Sequence, residues 1–261
     1  MSDPLFDLAG RVVVVTGGSG QLGRTYAVGL AERGARVASF DLLPGAEPDG
    51  IRSYEVDVTD RSAIASAVDE VVSEWGVPHV LVNNAGLDSP PDAPAEEVGP
   101  FEEYPEESFD AVLDVNVKGA FLCSQVVGGA MAKEGRGSIV NISSVYGLLS
   151  PVQELYEFRR AQGETFVKPV AYSVSKAAIL NLTRYLATYW AKAGVRVNTL
   201  TLAGVWNDQP QEFLDAFATR SPMGRMLDSR EALGALVFLA SDASSYVTGS
   251  NVVVDGGWSA W

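Results

Sequence analysis

Apolar runs alternate with helically spaced segments along almost the whole chain. Val12, Val13, Val14 and Val15 form an unbroken β-branched run, the pattern of a parallel strand buried on both faces. Residues 22–33 follow with Leu22, Tyr26 and Leu30 at helical spacing, and Gly34 marks the expected stop. The same reading predicts strands at 36–40 (ending at Asp41), 53–56, 79–82, 138–142, 195–201 and 251–254. It predicts further helices at about 60–74, 106–133, 172–193 and 229–241. Strands alternating with helices imply an α/β fold: a doubly wound parallel sheet with helices on both faces, built by right-handed crossovers. No repeat or linker interrupts the pattern, so residues 1–261 read as one domain.

Two segments break the rhythm. Residues 87–105 contain Asp88-Ser89-Pro90-Pro91-Asp92-Ala93-Pro94-Ala95-Glu96-Glu97, and residues 151–169 hold Glu154, Glu157, Arg159, Arg160, Glu164 and Lys168. Loops this long in a compact domain are usually functional, the alternative being a solvated surface excursion.

Composition narrows the chemistry. With 47% hydrophobic and 20% charged residues among 261, the chain can fill a core and is not disordered. One cysteine, Cys123, excludes an intramolecular disulfide and multi-thiolate zinc sites; one histidine, His79, excludes two-histidine metal sites. No metal is expected. A net charge of −14 repels phosphate backbones and anionic lipid, so neither nucleic acid nor membrane is an expected partner. The opening Met-Ser-Asp-Pro-Leu-Phe-Asp lacks a signal peptide's basic start and apolar core. No stretch approaches the ~18 apolar residues of a membrane span. The expected location is the cytoplasm.

Between the first strand and first helix lies Thr16-Gly17-Gly18-Ser19-Gly20-Gln21-Leu22-Gly23. Glycines there permit a tight turn and close approach of a pyrophosphate to the free N–H groups of a helix N-terminus. Asp41, 18 residues beyond Gly23, ends the next strand. A carboxylate at that place accepts the ribose hydroxyls and repels a 2′-phosphate, which favours NAD over NADP. Arg24 and Arg36, if near the ribose, soften that preference. The plainer alternative is an aspartate that caps its own turn.

Tyr172 and Lys176 stand four residues apart on one predicted helix face. A phenol with a pKa of about 10 needs a drop of roughly 2–3 units to serve as a base near neutrality, or about 3–4 kcal/mol. One cation at ~4 Å supplies about that much at an effective dielectric near 20.

With these residues the sequence resembles the classical short-chain dehydrogenase/reductase family over essentially its whole length. The matching pieces occur in family order: the glycine turn, Asp57-Val58, Asn83-Asn84-Ala85-Gly86, Asn116-Val117-Lys118-Gly119, Ser143-Ser144, Tyr172 with Lys176, and Arg196-Val197-Asn198. The ending Leu239-Ala240-Ser241-Asp242, Thr248-Gly249 and Asp255-Gly256-Gly257 completes the set. The resemblance implies a Rossmann-type fold, an NAD cofactor and a small-molecule alcohol or ketone substrate. It implies a catalytic set of Asn116, Ser144, Tyr172 and Lys176. Tyr172 would be the acid/base, Lys176 would lower its pKa and hold the nicotinamide ribose, and Ser144 would bond the reacting oxygen. Asn116 would hold a water in a proton relay. Cofactor contacts would come from Gly17, Ser19, Gly20, Gln21, Leu22, Gly23, Asp41, Asp57, Val58, Asn84, Ala85, Gly86, Tyr172, Lys176, Gly204 and Val205.

Three departures accompany the resemblance. Gln21 stands where the middle glycine is usual, which leaves a spacing like the family's extended branch. Ala203-Gly204 replaces the usual Pro-Gly, and Asn207 stands where threonine often occurs. Ser144 and Tyr172 are 28 positions apart, about twice the customary gap, which makes 151–169 an insertion; Tyr156 lies nearer the customary distance but reads as a loop residue. The expected activity is interconversion of a secondary alcohol and a ketone on a small polar substrate such as a sugar, polyol or sugar acid. The alternatives are a sugar-nucleotide epimerase or dehydratase, and a non-catalytic dinucleotide sensor. The 151–169 insertion is expected to border the substrate pocket, with Arg159, Arg160 and Lys168 available to an anionic group; Glu154, Glu157 and Glu164 nearly cancel those charges, so a self-paired surface loop or a subunit contact is the alternative. The resemblance further implies a homotetramer or homodimer formed through the long helices and last strand, with Trp258 and Trp261 against a neighbour or their own subunit.

Overall fold

A computed structural model describes residues 4–45, 48–89 and 94–261. Seven parallel strands form one sheet in the order β3-β2-β1-β4-β5-β6-β7. They are β1 (Val12–Thr16), β2 (Arg36–Asp41), β3 (Ile51–Glu55), β4 (Val80–Asn83), β5 (Gly137–Ser144), β6 (Val195–Leu202) and β7 (Asn251–Val254). Alternation along β1 divides the core. Val12 and Val14 pack with Phe40, Leu81 and Ile139 on one face, while Val13 and Val15 pack with Val37, Val82 and Leu200 on the other. The first face is covered by α2 (Arg61–Trp75), the helical run beginning at Glu106, and α7 (Val170–Trp190). The second is covered by α1 (Gln21–Ala31) and α9 (Leu233–Ala240). The expected α/β architecture is therefore present.

Strand order reverses between β1 and β4, and in such sheets ligands bind beyond the carboxyl ends of the strands at that switch point. The glycine turn leaves β1 there, and Asn84 leaves β4 beside it.

Several elements differ from the sequence reading. The expected helix over 106–133 is one helical run with two π-helical stretches. These are α3 (Glu106–Leu113), Asp114–Gly119 (π), α4 (Ala120–Cys123), Ser124–Gly128 (π) and α5 (Gly129–Glu134). π-turns concentrate at functional positions, and the first contains Asn116. The structure also contains α8 (Gln211–Arg220), which the sequence reading missed although Phe213 and Phe217 stand at helical spacing behind Pro210. Within the 151–169 insertion lie a 3-10 turn (Gln153–Tyr156) and α6 (Glu157–Ala161). The 87–105 insertion contains 3-10 turns at Ala95–Val98 and Phe101–Glu103, while its Pro90-Pro91-Asp92-Ala93 stretch lies outside the described residues. The two segments meet: Val167 N–H donates to the Val98 carbonyl at 2.7 Å, and Lys168 pairs with Asp88.

Arg196 and Asn198 serve the fold. The Arg196 guanidinium donates to the carbonyls of Leu239, Ser241 and Val247, and the Asn198 amide donates to Val247, pinning the C-terminal turn to β6. His79 is structural too. Its Nδ1 accepts from Val12 N–H at 3.1 Å, and burial lowers its pKa, holding it neutral. Trp258 is buried by its own chain, stacked on Phe217 at 4.6 Å, whereas Trp261 is exposed. No described helix is long and apolar enough to cross a membrane.

Candidate active site

A cleft of about 1320 Å³ runs across the carboxyl ends of the strands, from the glycine turn and Asp41 past Tyr172 to the 151–169 insertion. Single-ligand pockets occupy roughly 300–1,000 Å³, so this one has room for two molecules side by side.

The turn is shaped by contacts that leave no room for side chains. Gly17 adopts φ +63°, and a Cβ at Gly23 would lie 1.9 Å from the Gly17 carbonyl, so α1 packs directly on the turn. A Cβ at Gly20 would meet only the Gly17 carbonyl at 3.4 Å, which leaves the approach to α1 open. No side chain caps the helix, and its first N–H groups and positive dipole end meet that opening. This cradle fits a dinucleotide phosphate. Gln21, Leu22, Val58, Ala85, Gly86, Gly204 and Val205 line the same cleft.

Asp41 both lines the cleft and caps its turn. Its Oδ2 accepts from Ser19 N–H at 3.0 Å and its Oδ1 from Leu43 N–H at 3.2 Å. Ser19, expected to touch the cofactor, does not line the cleft. Its N–H is taken by Asp41 and its hydroxyl donates to the Leu43 carbonyl, so it orients the carboxylate instead. Arg24 is exposed on α1, and Arg36 begins the strand that Asp41 ends, about 16 Å away at strand rise. Neither lines the cleft. Asp57 lines it with Oδ1 accepting from Thr59. Asn84 also lines it, but its amide donates to the carbonyls of Thr16 and Gly17 and so braces the turn.

Tyr172, Ser144 and Lys176 converge midway along the cleft. Ser143 and Ser144 end β5, and they divide their tasks. Ser143 donates to the Lys176 carbonyl at 2.8 Å, while Ser144 hydrogen-bonds the Tyr172 phenol. Lys176 is buried, donates from Nζ to the Ile142 carbonyl at 3.2 Å, and lies 5.6 Å from the centre of the Tyr172 ring. Burial lowers the Lys176 pKa to about 8, against the pull of Asp88, so the cation survives at neutral pH. Burial raises the Tyr172 phenol, with Asp88 and Tyr146 adding to the rise and the Ser144 hydrogen bond opposing it.

Asn116 sits behind this group rather than in the cleft lining. Its Oδ1 accepts from Leu87 N–H at 2.7 Å; its Nδ2 donates to the Leu87 carbonyl and to Ser175 Oγ, both at 2.8 Å. Ser175 in turn donates to the Tyr172 carbonyl at 2.7 Å. The side chain expected to hold a water is thus committed to joining the β4 loop to α7. Ser175 was not anticipated; its signal was the position between Tyr172 and Lys176.

The 151–169 insertion does border the cleft, through Tyr156, Arg159, Phe166 and Lys168. Each of its cations is paired with a carboxylate. Arg159 pairs with Glu164 at 2.6 Å, Arg160 with Glu157 at 2.9 Å and Lys168 with Asp88. Arg160 does not line the cleft, and it also donates to the Gln153 carbonyl. Tyr156 belongs to a 3-10 turn rather than an irregular loop and packs against Phe166 and Phe213. Tyr146, Phe213 and Met226 also line the cleft and were missed, because they come from separate elements. Among the described residues, no group of three or more His, Cys, Asp or Glu could hold a metal ion.

Residues 18–259 match the family model described as enoyl-(acyl carrier protein) reductase. The chain is 34% identical over 269 residues to a cis-4-hydroxycyclohexanecarboxylate dehydrogenase of Sinomonas cyclohexanicum, covering 97% of this chain and 98% of that protein. A short-chain dehydrogenase from Leptospira borgpetersenii with bound NAD+ superposes with a TM-score of 0.86 at 30% identity, covering 99% of this chain and 96% of that one. A gluconate 5-dehydrogenase from Burkholderia cenocepacia in complex with NADP and tartrate gives 0.82 at 27% identity, covering 99% and 98%. The ordered motifs, the parallel sheet and these likenesses agree: the chain belongs to the classical short-chain dehydrogenase/reductase family.

Proposed function

We propose that this chain is a cytoplasmic, NAD-dependent oxidoreductase that interconverts a secondary alcohol and a ketone. The observation that carries the reading is the meeting of Ser144, Tyr172 and Lys176 in a cleft whose other end is the glycine turn and Asp41. The oxidoreductase names of its relatives support it.

The glycine turn and the N-terminus of α1 would hold the pyrophosphate, Asp41 the adenosine ribose, and Lys176 the nicotinamide ribose. When bound, the cofactor supplies the hydride acceptor or donor and, oxidised, a positive charge near the phenol. Ser144 holds the substrate oxygen beside Tyr172. Tyr172 takes the hydroxyl proton during oxidation and returns it during reduction. Burial alone disfavours the phenolate this requires, so Lys176 and the Ser144 hydrogen bond have to oppose it. Asn116, through Ser175, fixes the backbone at Tyr172; a proton relay past Asn116 is part of the same proposal. Asp41 favours NAD because its carboxylate repels a 2′-phosphate and, among the described residues, no arginine lines the cleft beside it.

The test is NADH formation over a panel of polyols, sugars, sugar acids and hydroxysteroids, with Tyr172→Phe as control. Turnover that survives Tyr172→Phe, or an enzyme that binds NAD but oxidises nothing, would count against this reading.

A further inference from the structure

Beyond Tyr172 the cleft is walled by a continuous row of aromatic rings. Ring centres are 4.6 Å apart for Phe166 and Tyr156, 5.5 Å for Tyr156 and Phe213, and 6.2 Å for Phe213 and Phe217. Phe217 then stacks on Trp258 at 4.6 Å. All five rings line the cleft that holds the tetrad's Ser144, Tyr172 and Lys176.

The charged groups on this side are already paired, while the buried Trp258 indole N–H has no hydrogen-bond partner. The Tyr156 and Tyr146 hydroxyls hydrogen-bond each other. The Arg159 guanidinium lies 4.0 Å from the Phe166 ring centre and pairs with Glu164. Lys168 is held by Asp88. Among the described residues, each charge lining this side of Tyr172 therefore faces an opposite charge within the wall.

We propose, resting on the dehydrogenase reading above, that the substrate is a neutral secondary alcohol or ketone on an apolar, ring-sized skeleton, with Tyr156 and Phe213 as its specificity-determining wall. Aromatic faces bury a flat hydrocarbon surface well. A polyol carries a hydroxyl on nearly every carbon, and each loses water against a largely aromatic wall. A sugar acid brings its carboxylate against Glu164 and Asp88, which already neutralise Arg159 and Lys168. The wall thus selects against the small polar substrates that the sequence suggested.

The experiment compares NAD+ reduction by the full-length enzyme with 4-methylcyclohexanol, erythritol and gluconate. Binding of 4-methylcyclohexanone to the NADH-loaded enzyme is measured alongside by calorimetry. The expected result is a kcat/KM for the cyclohexanol about a hundredfold or more above the other two. Phe213→Ala should raise its KM about tenfold, with kcat and NADH affinity little changed. Comparable or better turnover of erythritol or gluconate overturns the apolar substrate but leaves the dehydrogenase reading standing. Binding of the ketone with no oxidation of any of the three alcohols supports the apolar site and counts against the dehydrogenase reading. Neither binding nor turnover of the ring compounds overturns the inference.

Discussion

Gln21 donates from its side-chain amide to the carbonyl of Trp206 at 2.6 Å. Gln21 is the first residue of α1, and Trp206 lies in the loop after β6, whose neighbours Val205 and Asn207 line the cleft. The loop is also held by Trp206 N–H on the Leu227 carbonyl at 2.9 Å and by Leu227 N–H on the Gly204 carbonyl at 3.0 Å. A glycine at position 21 would leave these two sides of the cofactor end unjoined. Gln21→Ala should weaken NADH binding about three- to tenfold, read by fluorescence titration. Stability should change by no more than about 1 kcal/mol, since the bond is exposed. Unchanged affinity would reduce the bond to a surface contact.

Asp41 gives a test of cofactor choice. The enzyme should favour NAD over NADP by about tenfold or more in kcat/KM, and Asp41→Asn should narrow that gap mainly by improving NADP. The asparagine can still accept one of the N–H bonds that Ser19 and Leu43 make to the carboxylate, so the fold should survive. Steady-state kinetics with both cofactors decide it. A wild-type preference for NADP would show that the carboxylate serves only the turn.

Tyr172→Phe should lower kcat by about a thousandfold or more while NADH affinity stays within a few-fold. The phenol is the group that meets Ser144, and the helix that carries it is otherwise unchanged. Tyr156→Phe should be mild, because its hydroxyl meets Tyr146 in the wall of the cleft. Pre-steady-state NADH formation separates the two. The reverse order of severity would mean that the acid/base lies in the insertion.

The parts of this molecule that were legible in its sequence are those set by local pattern. Four consecutive valines announce a strand buried on both faces, and β1 sends alternate valines to opposite cores. The glycine turn, Asp41, and the Tyr172/Lys176 spacing were legible because each lies within one strand–turn–helix unit. What escaped was assembled from distance. The aromatic wall joins residues 156, 166, 213, 217 and 258, which no single window contains. Asn116 was found by motif, but its π-helical setting depends on Leu87 and Ser175 and could not be read from neighbours. The arginines of the insertion left an anion site and a self-paired loop both open, because the neighbouring glutamates were visible in the sequence and the pairing geometry was not.

Assembly is testable through α7. Tyr185 and Tyr189 are both exposed there and stacked with ring centres 6.1 Å apart, and Phe121 is exposed on α4. Surface aromatics of this kind are enriched at subunit contacts, and the family resemblance implies association through these helices. Light scattering at micromolar concentration should return a dimer or tetramer, and Tyr185→Asp with Tyr189→Asp should shift it to a smaller species. A monomeric wild type would reject the oligomer.

Lys176 should act against stability while serving catalysis. Its pKa in the folded chain is lowered by burial from 10.5 to about 8, so the folded state penalises the cation that the unfolded chain carries freely. That difference corresponds to roughly 3 kcal/mol at neutral pH. Lys176→Met keeps the length of the side chain without the charge. It should raise stability at pH 7 by about 1–3 kcal/mol and abolish turnover. Between about pH 8 and 10.5 the unfolded wild type holds a proton that the folded one has released, so wild-type stability rises with pH across that window. The mutant has no such group, and its advantage should shrink towards pH 10, while other titrations cancel in the comparison. Urea unfolding of both proteins at pH 7 and pH 10 measures the gap. A gap that stays constant would show that Lys176 carries no burial penalty in the folded enzyme.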